Sequence, residues 1–437
     1  MAVLAASLAV LAPASAASAQ APGANMTVTL AFLPAGTDPV ELDAVEGLSP
    51  GLMSAGLAKV PAEQTYLDIG QGNRVFDSLY DGPLPRLFTV RGRVPPVLWR
   101  AVLDRARSAP ADIVPGLLAT TIERERGFAA ATALAGRPAL SAVNADGRVG
   151  RRARCPDPGC AGLAVTSVAP AALGRLAREL SGDDLLIAIE RPPPEEDGDQ
   201  LAIGVAGRGF EEGSLTSDST RLDGLVLSTD LAPTILGRLG IEVPDAMTGS
   251  AIRSAGESDP ERLVSLEERI AEIGDRRGTV IGTTLLIWAA LAALSAAVMG
   301  ARGARVALAV LALSGIYVPA VLLLCGALEP SETAERVIVG LGCPVLAAAT
   351  LALVRGYAAA AVACAASVLA YAVDVLIGSP LTVLSLIGPN PALGVRFFGI
   401  GNELEAAVAT LIPLGVGAAL SAAGVRSPRA AAAAFAV

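Results

Sequence analysis

The composition of the chain changes at Thr279 from one that suits water to one that suits lipid. Before this residue the sequence has the mixed composition of a water-soluble domain, and after it apolar runs follow one another to Val437, separated by short loops that contain arginines. Each run is about 20 residues long, which is enough to cross roughly 30 Å of hydrocarbon as a helix. The sequence therefore predicts an all-α transmembrane helix bundle over residues 279–437. The predicted spans are 279–299, 306–328, 337–354, 358–377 and 404–423, with a truncated sixth after residue 430.

The N-terminus has the features of a secretory leader. An apolar stretch from Ala2 to Leu11 is followed by small residues in two Ala-x-Ala cleavage patterns, Ala14–Ala16 and Ala17–Ala19. This order is typical of a signal peptide, although the usual positively charged start is missing. We interpret residues 1–19 as a signal peptide or a short uncleaved anchor that exports the domain after it.

The arginines of the predicted loops indicate the same orientation. Arg302 and Arg305 follow the first span, Arg355 follows the third, and Arg426 and Arg429 follow the fifth. By the positive-inside rule these loops are cytoplasmic. The sequence therefore predicts a multi-pass protein of the plasma membrane whose N-terminal domain is extracytoplasmic.

Two arginines depart from this rule. Arg276 and Arg277 lie directly before the first span, on the side that is predicted to be outside. A helix that begins after Asp259 is expected to pack on the domain and to lead through these arginines into the first span. The orientation is kept, because the leader already commits the preceding domain to export.

Residues 26–275 alternate between strand-like and helix-like patterns. Such alternation predicts an α/β domain with a mostly parallel sheet and helices on both faces. The strand-like runs are 26–33, 86–90, 184–189, 201–205 and 225–227, and the helical patterns are 96–107, 113–125, 171–180 and 230–239.

Composition excludes several classes of function. The formal net charge is −9 and Lys59 is the only lysine, so the sequence offers no basic stripe for nucleic acid. Histidine is absent, which removes Ser-His-Asp and Cys-His nucleophile systems and histidine-bearing zinc sites. The abundance of arginine and alanine is typical of a high-GC genome, and we expect an actinobacterial source.

The five cysteines fall into two groups. Cys155 and Cys160 flank a Pro-Asp-Pro-Gly sequence in the exported part, where such a spacing indicates a small disulfide loop. The alternative is half of a metal site, for which a second pair is lacking. Cys325, Cys343 and Cys364 lie in apolar runs and are interpreted as small apolar side chains that fill space.

One connection in the transmembrane part is unlike the others. Residues 378–404 are too rich in glycine and proline for a plain span and too apolar for a free loop. Irregular backbone is stable at membrane depth only if it is buried in protein or lines a wet cavity, so we predict a re-entrant or interfacial segment beside the exported domain.

Ionisable groups within a membrane are functional candidates by default, because burying them in hydrocarbon is unfavourable. An alternative is an ion pair between Arg396 and Glu403 that only fixes the loop, with Asp374 close enough to the interface to stay hydrated. The membrane-site candidates are Asp374, Arg396, Asn402, Glu403 and Glu405.

A second polar segment, residues 64–74, lies in the exported domain. Gln71, Asn73 and Arg74 offer amide and guanidinium donors that could line a cleft for an anionic or sugar ligand. The alternative is a capped turn between a strand and a helix.

The sequence from Asp184 onward resembles a known superfamily. The runs 184–190 and 201–207, followed by Ser-Thr-Asp-Leu-Ala-Pro-Thr-Ile-Leu at 228–236, are similar to the C-terminal half of alkaline phosphatase superfamily domains. In active members the resemblance implies an α/β sheet that holds two metal ions with aspartates and histidines around a Ser or Thr nucleophile. The sequence Arg-Phe-Phe-Gly-Ile-Gly-Asn-Glu at 396–403 also resembles a stretch of bacterial multispanning proteins that carry such domains.

This chain departs from the superfamily pattern. Without histidine the two-metal site cannot be assembled, and the first strand is followed by Pro-Ala-Gly-Thr-Asp in place of a strand-end aspartate. The low-ranking catalytic candidates are Thr37, Asp38, Asp68 and Asp218, and carboxylates alone would suffice for a single Mg²⁺ or Ca²⁺ ion. We expect a degenerate, noncatalytic domain with no metal and no cofactor.

Three functions remain open. The first is a membrane protein of the cell envelope whose phosphatase-like domain binds a glycan, lipid or protein partner outside the cell. The alternative is a transporter or lipid-linked glycan enzyme that works through the membrane-site candidates. The third is a residual metal-dependent hydrolase of phosphate or sulfate esters.

Overall fold

The computed structural model describes residues 26–125, 127–131, 136–151, 161–193, 200–210 and 213–425. In these residues an N-terminal α/β domain is followed by a C-terminal helical region. The predicted leader and the predicted disulfide partners Cys155 and Cys160 lie outside the described residues.

A seven-stranded sheet forms the centre of the α/β domain. Its strands are β1 (Met26–Leu33), β2 (Leu48–Ser54), β3 (Phe128–Ala131), β4 (Ala161–Ser167), β5 (Leu185–Glu190), β6 (Gln200–Ala206) and β8 (Leu225–Leu227), in the order β3-β4-β1-β5-β6-β2-β8. Two further strands, β7 (Ser214–Thr216) and β9 (Arg253–Ala255), form a separate antiparallel pair. The prediction of a mostly parallel sheet is confirmed, since among the described strands of the large sheet β6 alone runs antiparallel to its neighbours.

Helices cover both faces of this sheet. Along β1 the side chains alternate between the two faces: Leu30 and Phe32 lie in one buried cluster, and Ala31 and Leu33 lie in the other. Because both faces are buried along its second half, β1 ends in a continuous apolar run from Leu30 to Leu33. The helices of the domain are α1 (Pro39–Asp43), α2 (Ala62–Gln71), α3 (Pro96–Ser108), α4 (Leu117–Arg124), α5 (Leu173–Arg178) and α6 (Leu231–Arg238).

Two parts of the strand prediction need correction. Residues 86–90 were expected to form a strand, but only Val90 bridges, to Arg93 across a tight turn. A tight turn at Arg91 and Gly92, with φ values of 52° and 78°, follows Val90 directly, so Val90 pairs within that turn and not with a strand of the sheet. Conversely β2, β3 and β4 of the large sheet were not predicted. In β2 the residues Pro50 and Gly51 lower the strand propensity.

Four helical stretches among the described residues are long and apolar enough to cross a membrane: Pro260–Leu328, Glu332–Leu353, Tyr357–Leu376 and Asn402–Ala422. The first contains α7 (Pro260–Arg276), a π-helical turn (Arg277–Gly282) and α8 (Thr283–Leu328). The others are α9 (Glu332–Leu353), α10 (Tyr357–Leu376) and α11 (Asn402–Ala422).

The helix α8 contains two of the predicted spans. At Gly300 the backbone leaves helical geometry, with φ 60° and ψ −149°, a conformation that favours glycine. Trp288 and Leu291 before this break line the same small cavity as Val310 and Ser314 after it. The two halves of α8 therefore pack against each other as a helical hairpin.

The α/β domain contacts one end of the helical region. The α8–α9 connection reaches α7 through Glu329, which lies 3.9 Å from Arg262, and the α10–α11 connection packs on the domain. Residue 300 and the α9–α10 connection at 354–356 lie at the other ends of their helices. The short loops with Arg302, Arg305 and Arg355 are thus on the side away from the domain.

Candidate functional site at the junction of the domain and the membrane segment

Residues 378–401, which we call the irregular segment, join α10 to α11. The segment contains two short 3₁₀ helices, Thr382–Leu384 and Pro391–Leu393, and otherwise has no regular structure. Carbonyl groups in such backbone need donors from elsewhere when water is scarce. In this structure several of these donors come from outside the segment. They are arginine side chains of the α/β domain, of α7 and of the π-helical turn, together with one backbone N–H of the domain.

Arg74 reaches the irregular segment from the α/β domain. It follows the left-handed cap of α2 at Gly72, and its guanidinium is buried. Nη2 donates to the carbonyl oxygen of Gly394 at 2.8 Å, while Nη1 donates to that of Ser54 at 2.9 Å. A single buried cation therefore joins the end of β2 to the irregular segment.

The backbones of the two parts approach closely at this point. The Ala58 N–H donates to the carbonyl oxygen of Leu393 at 2.8 Å. Gly394 has φ 67°, and a Cβ at this position would lie 2.2 Å from the carbonyl oxygen of Gly56. Only glycine fits both the conformation and the space.

A second contact is a buried ion pair between α7 and α9. Arg269 and Glu335 have side chains that are 3% and 0% exposed, and both of their N–O distances are 2.9 Å. The same guanidinium donates to the carbonyl oxygen of Leu384 at 2.9 Å and 3.1 Å. Because this is a bidentate pair and the guanidinium makes four hydrogen bonds in all, its desolvation is largely compensated.

A third contact involves the two arginines that depart from the positive-inside rule. Arg277 pairs with Glu403 at 2.9 Å and donates to the carbonyl oxygen of Gly388 at 2.9 Å. Arg276 pairs with Glu272, lies 3.6 Å from Glu335 and donates to the carbonyl oxygen of Pro330. Both charges are therefore balanced by carboxylates of the protein.

Apolar packing completes the junction. Phe397 of the irregular segment is buried in a cluster with Leu52 and Leu225 of the sheet and Ile270 of α7. The Arg221 guanidinium lies 4.2 Å from the ring centroid of Phe398, which is a cation–π distance. The domain and the irregular segment thus share one core.

The membrane-site candidate Asp374 is 3% exposed and has three donors. Its carboxylate accepts from the Leu381 N–H at 3.2 Å and from the N–H and hydroxyl of Thr382 at 2.8 Å and 2.5 Å. Asp374 is therefore bound by protein donors and is not the hydrated carboxylate of the alternative. This carboxylate holds the start of the irregular segment against the end of α10.

The other membrane-site candidates lie at the surface near the start of α11. Glu403 pairs with Arg277 and not with Arg396, so the expected Arg396–Glu403 ion pair is not present. The exposed Arg396 donates to the carbonyl oxygen of Ile400. Asn402 and Glu405 are also exposed, on the first turn of the helix.

The ligand-cleft candidates are buried, and their donors bond to the protein. Gln71 donates to Asp68 at 2.9 Å, and Asn73 donates to the carbonyl oxygens of Asp112 and Ala246. Arg74 makes the contacts described above. Residues 62–71 form the helix α2, so the alternative of a capped turn is closer to the structure than an open cleft.

Asp68 is a buried carboxyl group of the domain with a strongly raised pKa. Burial raises its pKa to about 7, while hydrogen bonds from Gln64 and Gln71 and the charge of Arg74 oppose this rise. Burial also lowers the pKa of Arg74 to about 10, which leaves its guanidinium charged at neutral pH. Asp68 and Arg74 thus belong to one buried network whose charge depends on pH.

The catalytic candidates have separate structural partners. Thr37 donates to the carbonyl oxygen of Pro34, Asp38 caps α1, and Asp218 pairs with Arg253 at the surface. Asp68 lies within the buried network on α2. Among the described residues, no group of three or more His, Cys, Asp or Glu side chains is arranged to hold a metal ion.

The sequence analysis missed the role of Arg269. A signal was present, because Arg269 follows Leu266 by three residues and precedes Ile270 on the apolar face of α7. A charged residue on an apolar helical face indicates a buried partner. The identity of that partner, Glu335, could not be read from the sequence because it depends on how α9 packs.

Comparisons with known proteins give no relative for this chain. No protein-family model matches it, and neither does a curated protein or a solved structure. The resemblance to the alkaline phosphatase superfamily therefore stays an expectation from residues 184–249.

We expect Asp68 to make the stability of the protein depend on pH. A folded-state pKa raised to about 7 means that the folded protein holds a proton the unfolded chain has lost, so this contribution falls as pH rises from about 4 to about 7. In Asp68→Asn this dependence should disappear. Thermal unfolding midpoints of the full-length protein in detergent, measured from pH 5 to pH 8, give the two profiles.

The control is Asp218→Asn, which alters an exposed carboxylate and should keep the wild-type profile. Parallel profiles for wild type and Asp68→Asn would contradict the assignment.

We expect the Arg269–Glu335 pair to hold the junction together. Arg269→Met leaves a buried carboxylate without its bidentate partner and should lower the free energy of unfolding by about 3–5 kcal/mol. The double variant Arg269→Met with Glu335→Leu should recover a large part of this loss, because no uncompensated charge remains. Equilibrium unfolding in mixed micelles measures both.

The exposed pair Arg253–Asp218 is the control, and Arg253→Met should change the stability by less than about 1 kcal/mol. If the Arg269 and Arg253 variants lose equal stability, the buried pair does not have this role.

Proposed function

We propose that this chain is an integral membrane protein of the bacterial cell envelope that crosses the plasma membrane five times. In this proposal its α/β domain lies on the extracytoplasmic side and is a noncatalytic domain that binds an envelope ligand or partner. The observation that carries the proposal is the junction, where the buried Arg74 of the domain, the buried Arg269 of α7 and Arg277 of the π-helical turn donate to the irregular segment. Such a junction suits a domain that is held against the membrane bundle.

The distribution of arginines supports this orientation. The loops with Arg302, Arg305 and Arg355 are at the end of the bundle away from the domain, as the positive-inside rule requires of cytoplasmic loops. Arg276 and Arg277 still depart from the rule, although both pair with carboxylates in the folded protein, Glu272 and Glu403. The orientation is kept because the predicted leader commits the preceding domain to export.

Residue chemistry supports a noncatalytic domain. The chain has no histidine, so it lacks the histidine ligands that the resemblance implies for active members. Thr37, Asp38, Asp68 and Asp218 are used in a turn, a helix cap, a buried network and a surface ion pair. These roles stabilise the domain and do not form a common site.

The orientation predicts which engineered cysteines react in intact cells. In a background without native cysteines, Ala101→Cys on the exposed side of α3 should react with a membrane-impermeant maleimide. Ala301→Cys, in the Gly300 turn, should react only after the cells are permeabilised. The reverse pattern would place the domain in the cytosol and overturn the proposal.

The noncatalytic assignment predicts no ester hydrolysis. The full-length protein, assayed with 4-nitrophenyl phosphate and 4-nitrophenyl sulfate in the presence of Mg²⁺, Ca²⁺ or Zn²⁺, should give the same background rate as Asp68→Asn and Asp218→Asn. Saturable, metal-dependent turnover that either substitution abolishes would instead support a residual hydrolase.

A further inference from the structure

A cleft outside the junction lies at the carboxyl end of β3, the edge strand of the sheet. Its volume is about 550 Å³, which is within the usual range for small-molecule sites. Ligands of α/β sheets commonly bind beyond the carboxyl ends of parallel strands, and Ala131, the last residue of β3, lines this cleft. Thr89, Arg91, Gly92 and Arg151 also line it.

The lining of this cleft carries positive charge on a chain that is acidic overall. Arg91 and Arg151 line it, while the described part of its wall includes no carboxylate. Arg93 and Arg148 form a β-bridge beside it. The chain has a formal net charge of −9, so four arginines within two short stretches are a local reversal of its charge.

These arginines are available for a ligand. Arg91 and Arg151 are exposed, and neither pairs with an acidic side chain in the part of the chain that the structure describes. The two side chains also belong to neighbouring backbone: a Cβ on Gly92 would lie 3.5 Å from Nε of Arg151. The Arg151 side chain therefore lies against the residue that follows Arg91.

Arg91 has a backbone conformation that an arginine rarely adopts. Val90 and Arg93 exchange backbone hydrogen bonds of 2.7 Å and 3.1 Å, and between them Arg91 and Gly92 have φ values of 52° and 78°. The turns of this kind prefer asparagine, aspartate or glycine at the first central position, because a longer side chain is strained there. A strained residue at the mouth of a cleft is a reason to look for a function of its side chain.

We propose that this cleft binds a small phosphate-bearing ligand through the guanidinium groups of Arg91 and Arg151, with the hydroxyl of Thr89 as a further donor. Two guanidinium groups offer more N–H donors than the two oxygens of one carboxylate can accept. A phosphate group has more acceptor oxygens and therefore matches this set of donors better. The volume leaves room for a sugar or similar group attached to the phosphate. The inference rests on the proposed function and gives its ligand a chemical class.

Calorimetric titration tests the assignment on the full-length protein in phosphatidylcholine nanodiscs. The titrants are inorganic phosphate, glucose 1-phosphate, inorganic tripolyphosphate as a phosphate polymer, and glucose. We expect saturable binding of the phosphate-bearing compounds and no binding of glucose. Tightest binding of tripolyphosphate would indicate a polymeric phosphate ligand, and tightest binding of inorganic phosphate or glucose 1-phosphate would indicate a small one. Equal binding of glucose, or no binding of any phosphate compound, would overturn the assignment.

Three variants locate the site. Arg91→Gly and Arg151→Gln should each weaken binding at least about tenfold, because each removes charge-assisted hydrogen bonds to the ligand. Arg91→Gly should also raise the thermal unfolding midpoint, since glycine adopts positive φ without strain, so its loss of binding is not a loss of folding. Arg100→Gln removes an exposed arginine from α3 and should leave the affinity unchanged.

The outcomes separate this inference from the proposed function. Unchanged affinity in Arg91→Gly and Arg151→Gln would overturn the cleft and leave the noncatalytic domain untouched. Hydrolysis of glucose 1-phosphate that still needs both arginines would overturn the noncatalytic function while supporting the cleft.

Discussion

The structure depends on one constraint: the backbone carbonyls of the irregular segment, residues 378–401, need hydrogen-bond donors. In an ordinary loop water supplies these donors, and in a helix the backbone N–H groups of the helix supply them. Residues 378–401 are partly buried and are helical only in two short stretches, so some of their donors must come from other parts of the protein. Arg74, Arg269 and Arg277 supply donors to the carbonyl oxygens of Gly394, Leu384 and Gly388. The fold of the α/β domain and the shape of the membrane segment are therefore not independent.

The three arginines differ in how their charge is balanced. Arg269 has a bidentate carboxylate partner in Glu335, and Arg277 has the half-exposed Glu403. Arg74 has no carboxylate in direct contact and is balanced at longer range by Asp68 and Asp230, whose charges raise its pKa against the effect of burial. Because the pKa of Asp68 lies near neutrality, the balance at Arg74 is the one that changes within the physiological range of pH.

Periodicity in the sequence was sufficient for much of the fold. β1 and α3 were predicted within one or two residues, because a continuous apolar run and an amphipathic pattern are strong signals. The strand β2 was not predicted, since Pro50 and Gly51 are tolerated only because β8 is short and pairs with residues 52–54 alone. That tolerance depends on a strand far along the chain, since Leu52 pairs with Leu225.

The candidate site was predictable only in part. The irregular segment and its polar residues were recognised from glycine, proline and charge, but their partners were not, because Arg277–Glu403 and Arg74–Gly394 join residues far apart in the chain. Gln71, Asn73 and Arg74 are residue types that are common in binding surfaces. The same types also form buried hydrogen-bond networks, and the sequence alone does not distinguish the two. The tight turn at Arg91 is likewise invisible in the sequence, since arginine gives no signal for positive φ.

The helix that joins the two parts has a mechanical consequence. From Pro260 the chain continues through a π-helical turn into α8 without leaving helical geometry before Gly300, so about 40 residues form a rod of roughly 60 Å. One arm of this rod is fixed to the domain by Leu266 and Ile270, and the other lies among the apolar helices. A change in bilayer thickness that tilts the part of α8 before Gly300 would therefore rotate the domain by the same angle, unless the π-helical turn bends.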